Sequence, residues 1–119
     1  MTNKQLQSLV REWQARLRLM DWDVTASFVR VQEMEGTGHR GNIEMWASAK
    51  VAQIKILCKG DYERDALLEY DEEEVVVHEL LHLHFLPMTD CEDNKENRDE
   101  EVAINLIARA FVELKRENA

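Results

Sequence analysis

Nowhere does the sequence hold an apolar run near the roughly 20 residues that a helix needs to cross a bilayer. No membrane span is therefore expected. The opening stretch, MTNKQLQSLVREWQ, lacks the unbroken apolar core of a secretory signal. These two absences lead to the expectation of a soluble, cytoplasmic protein. Positive charge is also scarce: 15 Lys and Arg stand against 24 Asp and Glu, a formal charge of -9. The basic residues are scattered and form no stripe that could follow phosphates, so nucleic acid is not an expected partner. The acidic balance serves solubility. Cysteine is nearly missing. Cys58 and Cys91 lie far apart without Cys-x-x-Cys spacing, which excludes a thiolate metal knuckle or a redox pair. Cys58 closes an apolar alternating run and reads as a buried thiol, while Cys91 falls in a polar loop and carries no assigned role. Repeats and low-complexity segments are absent.

What is present suits one globular domain over residues 1–119, too short for two cores. Apolar residues make up 45% of the chain, which argues against disorder. Leu6, Leu9, Val10, Trp13 and Leu17 follow helical spacing, so residues 4–18 are expected to form a helix capped by Thr2 or Asn3. Trp22, Val24, Ala26 and Phe28 then alternate as in a strand. MEGTGHRGN reads as a loop or hairpin connection, and IEMWASAKVAQIKILC as one or two strands. Ala52, Ile54, Ile56 and Cys58 point one way, with Gln53 and Lys55 opposite. A second helix starts after the cap residue Asp71, with Glu72, Glu73 and Glu74 in its first turn, and stops before Pro87. A last helix is expected over 99–117, with Ala103, Leu106, Ile107, Ala110, Phe111 and Leu114 on its apolar face. Strands followed by helices predict an α+β domain with helices on a small, mostly antiparallel sheet.

The middle helix carries the chemistry. EEEVVVHELLHLHFLP sets His78, Glu79 and His82 in the order His-Glu-x-x-His. Residues four apart share a helix face about 5–6 Å apart, so two imidazoles can converge on one ion. Glu79 is turned about 100° from His78, off the ligand row but still over the same cleft. There it can act as a general base toward water that a metal makes acidic. An apolar helix can also carry histidines as core residues bonded to backbone. Burying two of them in VVVHELLHLHF without partners would be costly, however, and a metal satisfies both. His84 lies on the other side and reads as a packing or surface histidine.

A catalytic zinc site takes three protein ligands. The downstream candidates are Glu92, Asp93, Glu96, Asp99, Glu100 and Glu101. On a helical wheel Glu100 lies nearer the apolar face than Glu101. Asn97-Arg98-Asp99-Glu100 also reads as a capping box, which would occupy Glu100 at the helix start.

HELLH, with EVAINLIARAF beginning at Glu101, resembles the gluzincin branch of the zincin metallopeptidases, including the small phage and prophage enzymes. The specific match runs from His78 to Asn105; the order of elements resembles the minimal zincin fold in outline. The resemblance implies a zinc metallopeptidase domain with His78, His82 and Glu101 as metal ligands, Zn2+ as cofactor, Glu79 as general base and a peptide or protein substrate. Asn105 stands where many relatives carry Asp, which implies a weaker hydrogen bond to a ligand histidine. No residue matches the tyrosine or histidine with which larger relatives stabilise the oxyanion; Tyr62, Tyr70 and His39 are candidates by type. The strand KVAQIKIL is the expected sheet edge for a bound peptide. A zinc-containing binding or regulatory module is the competing reading, and the general base retained at Glu79 favours the enzyme.

Overall fold

The computed structural model describes residues 1–34, 40–62, 69–86 and 95–118. Cys91, His39, Glu92 and Asp93 lie outside the described residues, as does the side chain of Glu96. Helix α1 spans Asn3–Arg16 and is capped by Thr2, which exchanges bonds with Gln5 in a capping box. Leu6, Val10 and Trp13 form its buried stripe.

Three strands follow: β1 (Asp23–Val29), β2 (Gly41–Trp46) and β3 (Val51–Leu57). They form one sheet in the order β1-β3-β2. The sheet is mixed, which corrects the mostly antiparallel expectation. β2 and β3 pair antiparallel across a short turn, but β1 pairs parallel to β3. Side-chain alternation has the same period in either direction, so the sequence pattern holds no information about strand polarity. The expected peptide edge is corrected too. KVAQIKIL is the central strand, bonded on both sides, and its Ala52, Ile54 and Ile56 are fully buried.

The two outer strands differ. Along the outer side of β1, Gln7 takes a bond from Ala26 N at 3.0 Å and donates to Val24 O at 2.9 Å. Asn3 accepts from Phe28 N at 2.9 Å. Side chains of α1 thus occupy the β1 edge. Among the described residues nothing is bonded to the outer edge of β2.

Helix α2 (Glu72–Phe85) begins where Asp71 accepts from the backbone of Glu73 and Glu74, and ends two residues before Pro87. Val75, Val76, Val77, Leu80, Leu81 and Leu83 are all buried, so the helix is apolar nearly all round and lies at the centre of the molecule. The sheet and α1 cover part of it, and α3 (Lys95–Glu117) covers the rest.

The inward face of α3 differs from expectation. Ile104, Ala108 and Val112 are buried, whereas Val102, Leu106, Phe111 and Leu114 stay exposed. Apolar count alone favours the wider stripe. The row that meets α2 instead continues through polar Asn105 and Glu101, and small Ala108 admits close approach. Cys58 is only half-buried, at the end of β3. Among the described residues no helix is long and apolar enough to cross a membrane.

Candidate metal centre

An open cleft of about 440 Å³ lies between β2, α2 and the start of α3. His78, Glu79 and His82 line it from α2, and Glu101 and Asn105 from α3. The ligand atoms of His78, Glu79 and His82 lie within 4.8 Å of one another. Their rings, centroids 5.1 Å apart, meet edge to face.

The contacts on these rings divide by nitrogen. Nδ1 of His78 lies 2.8 Å from Asn105 Oδ1. Nδ1 of His82 lies 3.2 Å from Glu100 Oε1. With Nδ1 turned to each of these oxygens, Nε2 is the nitrogen each ring presents to the cleft, where it donates to a carboxylate when the ring is protonated and offers a lone pair only when the ring is neutral. Both Nε2 atoms face Glu101, whose two oxygens lie 3.1 Å from His78 Nε2 and 2.9 Å from His82 Nε2. Glu79 stands further back, its Oε1 3.9 Å from His78 Nε2, and is buried. Glu101, rather than Glu79, therefore lies between the two Nε2 atoms.

The electrostatics agree with this division. Hydrogen bonding from His78 and then His82 holds the Glu101 carboxyl far below the usual range, so it stays ionised. Burial works against a charge on His82. The hydrogen bond to Glu101 and the negative charge of Glu79 and Glu101 outweigh it and raise the His82 pKa.

Glu100 is not a cap. Helix α3 begins at Lys95, before Asn97, so the expected capping box does not form. Adjacent helix positions point about 100° apart, and Glu100 and Glu101 use that angle to reach opposite nitrogens of one imidazole. The signal for Glu100 was its place near the apolar face of the wheel. Asn105 meets His78 Nδ1 with a neutral amide oxygen rather than a carboxylate. Asp99 is exposed and does not line the cleft.

Tyr62 and Tyr70 do not line the cleft either. Their rings pack together at 4.9 Å, and the buried Tyr70 hydroxyl donates to Leu57 O. His84 is exposed, with Nε2 2.6 Å from Leu17 O, away from the cleft.

The opposite wall is β2. Gly41 makes its close approach possible: a Cβ there would lie 2.6 Å from Val75 Cγ1 and 3.4 Å from Glu79 Cγ. Any other residue there would force Val75 or the strand itself to shift. Ile43 and Met45 line the cleft beyond it, and Arg40 lines it next to Gly41, where β2 begins. Sequence reasoning did not single out Arg40 or Gly41.

No protein-family model matches the chain, and comparisons with curated proteins and with solved structures found no match.

Proposed function

We propose that this chain is a zinc-dependent hydrolase, most simply a metallopeptidase of the gluzincin type on a minimal zincin-like fold. The observation that carries the reading is the convergence of two imidazole Nε2 atoms on one carboxylate, each ring held from behind through Nδ1. Two nitrogens and a carboxylate oxygen are a zinc donor set that leaves a coordination position open. His78, His82 and Glu101 would hold the ion. Bound zinc supplies Lewis acidity, which lets water lose a proton near neutral pH and polarises a carbonyl.

The chain's own residues do the rest. Glu79 is buried beside His78, within the same cleft, and takes the proton from the attacking water. It then returns that proton to the departing amine. Asn105 and Glu100 fix the ring orientations. β2 offers its outer backbone groups to an extended peptide, because α1 side chains already occupy the β1 edge. A cytoplasmic, phage-like peptidase is the setting in which we read this activity.

Absence of a tyrosine from the described cleft favours one alternative, a zinc-binding regulatory module that keeps the site without turnover. One experiment separates them. Elemental analysis should give one zinc per chain, and a mixed peptide library should be cleaved by the wild type. Glu79→Gln should retain zinc and fold while losing hydrolysis, because an amide has no basic oxygen to take the proton. A protein that refuses zinc overturns both readings; one that binds zinc but cleaves nothing leaves the module.

A further inference from the structure

We propose that Arg40 makes the cleft selective for peptides that present a carboxylate at its end, an inference that rests on reading the cleft as a peptide site. The Arg40 backbone is fixed in place. Its carbonyl accepts from Leu57 N at 2.9 Å, which ties it to the sheet. Its neighbour Gly41 packs against Val75 and Glu79. One residue advances the chain by about 3.8 Å, so the Arg40 backbone sits beside the wall that carries the base.

Charge makes this residue unlike the rest of the cleft. The acidic groups lining it are Glu74, Glu79 and Glu101, and Arg40 is the one Lys or Arg among the described lining residues. Glu74 already faces Arg109 at 3.6 Å, and Glu101 faces both histidines. Arg16, Arg30, Arg109 and Arg116 each have a carboxylate partner. Among the described residues Arg40, like Arg11, Arg18 and Arg98, has none, and of these four Arg40 is the one that lines the cleft. The Arg40 guanidinium borders this cleft and, through its charge, Tyr70 outside it; a fork there can match a carboxylate through two parallel hydrogen bonds.

Strand direction says which part of a peptide arrives there. β2 runs from Gly41 to Trp46, so its beginning lies next to Arg40. Antiparallel pairing is the more stable arrangement. A peptide paired that way on β2 runs toward Arg40 with its C-terminal half. Its earlier residues pass Ile43 and Met45, which offer an apolar wall. The ligand class is therefore a peptide with apolar residues followed by a carboxylate, supplied by an Asp or Glu side chain or by the chain terminus.

Four fluorescent hexapeptides of one apolar sequence test this, ending in Asp acid, Asp amide, Asn acid and Asn amide. Binding is read by anisotropy on the zinc-loaded full chain carrying Glu79→Gln, so that no turnover intervenes. The Asn amide should bind at least about tenfold more weakly than the best carboxylate peptide. Arg40→Gln should erase that difference, and Arg40→Lys should keep part of it. Tighter binding of the Asn acid than the Asp amide assigns the terminal carboxylate; the reverse assigns the side chain. Equal binding of all four peptides, no binding, or a preference that survives Arg40→Gln (as direct capture by zinc would give) overturns the inference. An Arg40-dependent preference, found while the zinc-loaded wild type cleaves neither these peptides nor the mixed library, sustains the inference and removes the peptidase reading.

Discussion

Glu100 Oε1 lies 3.2 Å from Nδ1 of His82, behind the ring whose Nε2 faces Glu101 at 2.9 Å. Two neighbouring glutamates thus hold opposite sides of one imidazole. The pair makes separable contributions. Glu101→Ala removes a proposed ligand and should nearly abolish zinc binding. Glu100→Ala leaves the ligands in place but frees the His82 ring, and should weaken affinity by about 10–100-fold, the usual effect of losing an outer partner. Competitive zinc titration of both variants checks the order. Equal losses, or a larger loss for Glu100→Ala, would mean that the ligand has been misassigned.

Tyr70 is expected to act on stability alone. Burial raises its pKa first, with the charge of Glu72 adding to it, so the hydroxyl stays protonated and donates to Leu57 O. Tyr70→Phe should cost about 0.5–1.5 kcal/mol, the net worth of one hydrogen bond. Denaturant unfolding measures that cost. Peptide hydrolysis at saturating substrate should be unchanged; a large fall in kcat would return Tyr70 to the candidates for oxyanion stabilisation.

The Gln7 side chain should prove to be a guard of the sheet edge. Gln7→Ala removes two bonds to β1, at Val24 O and Ala26 N, and should cost about 1–3 kcal/mol. It also uncovers strand groups able to pair with another chain. Light scattering over a concentration series should show self-association that the parent lacks. A variant that is destabilised yet stays monomeric at all concentrations would limit Gln7 to a stabilising role.

Acid should loosen the link between the end of β1 and the turn after β3. The Arg30 guanidinium, followed by Val31 N–H, holds the Asp61 carboxyl down at about 2, against 3.8 in an unconstrained chain. A folded pKa below the unfolded one means stability that is present above about 3.8 and lost as pH falls toward 2. The wild-type Tm should therefore drop through that window, and Asp61→Asn should drop less. Identical slopes for the two proteins would show that other carboxylates carry the acid sensitivity.

How much of this was legible beforehand varies by residue. The cap at Thr2, the stripe of Leu6, Val10 and Trp13, and the cap at Asp71 are local events. Each depends on spacing within one turn, and each could be read along the chain. His78 and His82 share a helix face for the same reason, since a separation of four residues becomes a distance in space once the segment is helical. The likeness between the stretch from His78 to Asn105 and the gluzincin pattern added an expectation for Glu101, whose carboxylate lies against both histidines.

Other features arose only from contacts between distant segments. Strand polarity was invisible because alternation is identical in both directions, so the parallel pairing of β1 with β3 had no mark in the sequence. The face of α3 was misread because counting apolar residues assumes that the inward row is the most apolar one. That row instead carries Asn105 and Glu101 toward histidines on α2, leaving Leu106 and Leu114 outside. Glu100 gained its partner from the packing angle of two helices. Gly41 and Arg40 became cleft residues only when β2 was laid against Val75 and Glu79. By itself the sequence determined the helices and the histidine pair, since those follow from short-range geometry. Tertiary structure alone decided which carboxylate meets which nitrogen and which sheet edge the side chains of α1 occupy, because both depend on how separate elements are oriented in three dimensions.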